Sequence, residues 1–89
     1  DFVPVEVSSE GGEAYALKCG KKIYVYVYNP TQNVISKLRI TTDMKGAKVS
    51  EYDFNALKFS GKVKTPVKDG VLDIPTSVEK LGEALYMIE

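Results

Sequence analysis

Glu51 and Asp53 are the carboxylates of this 89-residue chain whose spacing best suits acid–base chemistry. Two residues apart on a strand, they share one face at a separation of about 6 to 7 Å. That lies between the spacings of retaining and inverting glycosidases, which need only two carboxyl groups. Both sit beside a turn, and so small a domain offers no deep cleft to raise one of the two pKa values. They read as solvated carboxylates paired with nearby lysines, and no catalytic residue is expected. Histidine is absent, which removes Ser-His-Asp and Cys-His nucleophiles. With Cys19 the single cysteine, zinc would find only hard carboxylate ligands. The oxygen-rich stretches Ser9-Glu10-Gly11-Gly12-Glu13 and Thr41-Thr42-Asp43 lack the spacing of an EF-hand loop. Gly11-Gly12 precedes a strand rather than a helix, so it is no phosphate cradle. Neither a metal nor a cofactor is expected.

The run Lys22-Ile23-Tyr24-Val25-Tyr26-Val27-Tyr28-Asn29 carries the sharper signal. Strict alternation on a strand puts Ile23, Val25 and Val27 on a core face and Tyr24, Tyr26 and Tyr28 on the other. Three phenols in a row can cover a second layer, dock a neighbouring domain, or stack on a sugar ring with the hydroxyl bonding at its edge. Packing or docking is the stronger reading and glycan stacking the second, since tryptophan, common on planar sugar-binding faces, is absent.

Around these residues the chain reads as short strands separated by turn signals every 8 to 12 residues or so. Phe2 to Val7 is a strand confined to an edge by Pro4. Ala14 to Cys19 and the tyrosine strand form a hairpin across Gly20-Lys21. Val34 to Thr42 follows, with Val34, Ser36, Leu38 and Ile40 on one face and Ile35, Lys37, Arg39 and Thr41 on the other. Ala47 to Asp53 leads into a loop carrying Phe54 and Leu57. Lys58 to Lys68, interrupted by Gly61 and Pro66, is expected to be broken or bulged. Asp69-Gly70 is a hairpin turn, and Val71 to Ile74 is a strand closed by Pro75. Thr76 to Gly82 suits one helical turn or a plain loop, and Ala84 to Ile88 ends the domain. Seven to eight short strands hide their apolar faces only against another sheet. The expectation is one all-β domain over residues 1–89, a two-sheet antiparallel β-sandwich of immunoglobulin-like, Greek-key type.

Composition narrows the partners. Twelve basic and twelve acidic side chains give no net charge, against the basic excess of a nucleic-acid binder. Lys21-Lys22 and the series Lys62, Lys64 and Lys68 read as solvated faces and edge protection. No apolar run approaches the roughly 20 residues of a membrane span. Cys19 should be a small buried hydrophobe. A start at Asp1 suggests a piece of a longer polypeptide.

Three segments together carry a resemblance: Lys22 to Pro30, Val49-Ser50-Glu51-Tyr52-Asp53 with its loop to Gly61, and Leu72-Asp73-Ile74-Pro75 running to Ala84-Leu85-Tyr86-Met87-Ile88. From about Ala14 onward the chain resembles the small C-terminal β-sandwich that follows the catalytic (β/α)₈ barrel of many glycoside hydrolases. The resemblance implies a non-catalytic accessory module of a secreted or cell-surface enzyme, packed on that barrel, stabilising it or helping to engage polysaccharide. Phe2, Phe54, Leu57 and Phe59 are then the candidates for contact with the adjacent catalytic domain, because loop aromatics do not face water without cause. Two alternatives remain: a carbohydrate-binding module whose platform is Tyr24, Tyr26 and Tyr28, and an immunoglobulin-like assembly module that adds an edge strand to a partner.

Overall fold

A computed structural model describes residues 2–89. Among them are nine strands and no helix: β1 (Phe2–Val3), β2 (Val5–Val7), β3 (Glu13–Cys19), β4 (Lys22–Tyr28), β5 (Ile35–Thr41), β6 (Gly46–Asp53), β7 (Lys58–Pro66), β8 (Val71–Val78) and β9 (Glu83–Ile88). They form two antiparallel sheets, one of order β1-β3-β4-β9-β6-β7 and one of order β2-β5-β8. The chain is an all-β, two-sheet sandwich.

The two sheets close on a core of aliphatic side chains. Ile23, Val25 and Val27 of β4 are fully buried, as their alternation requires. They share the interior with Ile35, Leu38 and Ile40 of β5, Leu72 and Ile74 of β8, and Ile88 of β9. Burying each such side chain contributes about 1.5 to 3 kcal/mol relative to leaving it in water.

Both predicted hairpin turns form. Gly20 takes a φ of +63° between the paired Cys19 and Lys22, a left-handed geometry that glycine adopts without steric cost. Asp69 and Gly70 both take positive φ, +53° and +74°, as the commonest two-residue hairpin turn demands. Lys68 and Val71 close that turn with two backbone bonds of 2.9 Å. Lys58 to Pro66 is bulged as expected: Val49 faces Val63 but Glu51 faces Ser60, and Gly61 sits in the bulge at a φ of +65°.

Five expectations are corrected. The segment from Phe2 to Val7 is not one strand, because at Pro4 the chain crosses from the larger sheet to the smaller. The Pro4 carbonyl already accepts the Thr41 N–H of the second sheet, at 3.2 Å. The alternation predicted for Val34 to Thr42 holds only from Lys37 onward. A register shift between Ile35 and Lys37 turns Ile35 into the core beside Leu38, while Val34 is left 48% exposed. Ser8 Oγ accepts the N–H groups of Ser36 and Lys37, at 3.0 and 3.3 Å, where the ladder is interrupted. Pro75 does not close β8. Thr42 N–H donates to Gly70 at 2.9 Å, and stepping along the register from that rung makes Leu38–Ile74 a bonded pair. Pro75, opposite Lys37, therefore points its nitrogen at the free edge, where a missing N–H breaks no ladder bond. Thr76 and Ser77 accordingly continue the strand, and Glu79 to Gly82 form a turn without a helix. Cys19 is exposed rather than buried, at the end of β3.

Candidate functional site

The outer face of the six-stranded sheet gathers most of the residues singled out in the sequence. Antiparallel partners lie on the same face, so the register defines rungs across it. One rung runs Phe2, Leu17, Tyr24, Met87 and Ser50. The next runs Tyr15, Tyr26 and Leu85, and Tyr52 pairs with Phe59 beyond it. The rings touch: Tyr24 and Phe59 have centroids 6.1 Å apart, Tyr52 and Phe59 5.1 Å, and Tyr52 and Phe54 5.0 Å. The last two pairs meet edge-on, a geometry that aromatic quadrupoles favour.

The sequence assigned Tyr24, Tyr26 and Tyr28 to one role and Phe2, Phe54, Leu57 and Phe59 to another. The fold places all but one of the seven on a single surface. Leu57 is the exception: it occupies the β6–β7 turn, 71% exposed, at a φ of +58°. Phe2 is 78% exposed and Tyr15 55%. The tyrosines of β4 are half-buried by their neighbours. Tyr15, Leu17, Tyr52, Leu85 and Met87 extend the surface and were missed, though Glu13-Ala14-Tyr15-Ala16-Leu17 alternates small with large and already shows which side of β3 faces the core.

The ends of this face are charged and of opposite sign. Glu13, Tyr28 and Glu83 share the rung at one end. Tyr26 Oη donates to Glu83 Oε1 at 3.0 Å, and Tyr15 Oη to Glu13 Oε1 at 3.4 Å. The bond to Glu83, with desolvation second, pushes the Tyr26 phenol above its ordinary pKa. At the other end Lys21, Lys22, Lys48 and Lys62 gather around Glu89, and Lys64 stands opposite Lys48. Lys62 Nζ lies 2.6 Å from Glu89 Oε1, and Lys22 Nζ 3.9 Å from Oε2. The hydrogen bond from Lys62 holds the Glu89 carboxyl below the usual range.

Glu51 and Asp53 flank a shallow concavity with Tyr52, Phe54, Asn55, Ser60 and Gly61, but Asp53 is engaged in structure. Its Oδ1 accepts the N–H groups of Asn55 and Ala56, at 2.8 and 3.0 Å, and holds the β6–β7 turn. Glu51 lies opposite Tyr86 on the inward side. Burial pushes the Tyr86 phenol upward against the opposing effect of its hydrogen bond with Thr76. The oxygen-rich stretches also serve local structure: Ser9 Oγ donates to the Val34 carbonyl, and Thr42 Oγ1 accepts the Met44 N–H. Among the described residues, no three His, Cys, Asp or Glu side chains converge where they could hold a metal ion. No helix among those residues is long and apolar enough to cross a membrane.

What the fold defines is an antiparallel two-sheet sandwich with one broad aromatic face. No protein-family model matches this chain, and no curated protein does.

Proposed function

We propose that this domain is a non-catalytic accessory module that packs its aromatic sheet face against a neighbouring glycoside hydrolase barrel. The observation that carries the reading is the continuous surface of Phe2, Leu17, Tyr24, Met87, Tyr52 and Phe59 on the outer face of the larger sheet, where Phe2 and Leu17 are exposed and the other four half-buried. Contiguous apolar surface of this kind marks an interface, and aromatic side chains are enriched at interface centres. The use of Asp53 as a turn cap supports the non-catalytic part. The resemblance of the tyrosine strand and the Leu-Asp-Ile-Pro segment supplies the hydrolase as the partner.

A second reading, a glycan platform, draws on the same face. The rung Tyr15–Tyr26 presents phenols whose oxygens are tied to Glu13 and Glu83, an apolar surface with polar groups at its rim. Affinity electrophoresis in gels of soluble polysaccharide separates the two. Docking predicts unchanged migration in every gel, for the native domain and for Tyr26→Ala alike. Retardation that Tyr26→Ala abolishes would replace docking with glycan binding. Hydrolysis of any glycoside by the purified domain would overturn both.

A further inference from the structure

The lysine end of the sheet face is crowded for a chain with no net charge. Lys21 and Lys22 come from the β3–β4 hairpin, Lys48 from β6, and Lys62 and Lys64 from β7. Lys48 and Lys64 stand directly opposite each other, an arrangement that like charges disfavour. Lys21, Lys22, Lys48 and Lys62 line one concavity of about 490 Å³ with Glu89. Four of the chain's twelve basic side chains thus line a concavity in which Glu89 is the one acidic side chain. Edge protection accounts for the lysines of β7 but not for Lys21, Lys22 and Lys48, which lie on or beside inner strands.

We propose that this concavity is a binding site for a compact, multiply charged oxyanion, a sulfate or phosphate group. A lysine ammonium is a point charge with three donors and no fixed plane. Several of them around a small space suit an anion that accepts from all sides. A planar carboxylate is better matched by the arginine fork, and the chain's one arginine, Arg39, lies on the other sheet. Glu89 marks the place an anion takes, held by Lys62 and Lys22. An incoming oxyanion displaces it and gathers Lys48 and Lys21 as well. The face turns acidic at Glu13 and Glu83 on its far end, so the site takes a single anionic group and not a long polyanion lying across the sheet. This inference does not depend on the docking reading, because the lysines lie beyond the aromatic centre.

The test is a backbone amide NMR titration with low-millimolar sodium sulfate, against sodium chloride at matched ionic strength. Shifts confined to Lys21, Lys22, Lys48, Lys62 and their neighbours, seen with sulfate and not with chloride, are the expected result. Losing a charge-assisted bond should weaken binding about tenfold in Lys48→Met or Lys62→Met. Glu89→Gln, which removes the internal competitor, should tighten it. The lysines are exposed, and the same spectra report that each variant keeps its fold. A parallel titration with a sulfated disaccharide and its unsulfated parent identifies the source. Binding of the sulfated sugar tighter than that of inorganic sulfate assigns a sugar-borne group, binding no tighter assigns the free oxyanion, and equal binding of the unsulfated parent would overturn the site. Equal shifts with chloride, shifts spread over Lys37 and Lys80 as well, or variants that bind like the native domain would each overturn the site.

Discussion

Asn29 is fully buried, yet its whole side-chain amide is satisfied. Nδ2 donates to the carbonyls of Asn33 and Val78, at 2.7 and 2.8 Å, and Oδ1 accepts the N–H and the hydroxyl of Thr31, at 2.9 and 2.6 Å. Its backbone adds bonds to Gly82 and Leu81. The side chain thus ties the loop after β4 to the end of β8, and the backbone ties it to the turn before β9. Asn29→Ala leaves several buried groups without partners and is expected to cost about 2 to 4 kcal/mol. Urea unfolding followed by circular dichroism measures it, and a loss under about 1 kcal/mol would show that water takes over those bonds. From the sequence Asn29 was legible as a turn residue next to Pro30. Its burial was not, because the Val78 carbonyl and the Gly82 turn reach it only through the tertiary fold.

At the scale of the strands, each free edge of the two sheets is blunted. β1 and β2 have two and three residues. β7 carries Lys58, Lys62 and Lys64, a bulge at Gly61 and Pro66 at its end. β8 aims the nitrogen of Pro75 outward. Short, charged, bulged or proline-bearing edges resist pairing with another chain, which weighs against the reading as a module that adds a strand to a partner. Pro75→Thr restores an edge N–H beside Asp73, and we expect a concentration-dependent shift to larger species in size-exclusion chromatography. Elution unchanged at all concentrations would mean that the proline does not guard the edge. The local signals were legible here: the tyrosine alternation, the Asp69-Gly70 turn and the bulge near Gly61 each follow from a few adjacent residues. Crossing between sheets at Pro4 and the inward turn of Ile35 were not. Both depend on which strand lies alongside, and a single break in register reverses the facing of every residue beyond it.

On the scale of the whole domain, the two faces of the larger sheet do different work. The inner face, with Ile23, Val25, Val27 and Ile88, holds the sandwich together. The outer face is also rich in large apolar groups; its rings pack on one another and Ser50 is buried among them, yet Phe2, Tyr15 and Phe54 stay 78%, 55% and 47% exposed. The surface was half legible, since the tyrosines and phenylalanines were each noticed, but only the register of β1, β3, β4, β9, β6 and β7 joins them. On the docking proposal, this face serves a partner rather than the fold. Comparative urea unfolding tests that most directly. Ile88→Ala, a cavity in the core, should cost about 2 to 5 kcal/mol. The triple variant Phe2→Ser, Tyr15→Ser and Phe54→Ser should cost no more than about 1.5 kcal/mol in all, as surface substitutions do, while its binding of an apolar dye falls. If the triple variant unfolds as readily as Ile88→Ala, the aromatic face belongs to the domain's own stability and the docking account fails.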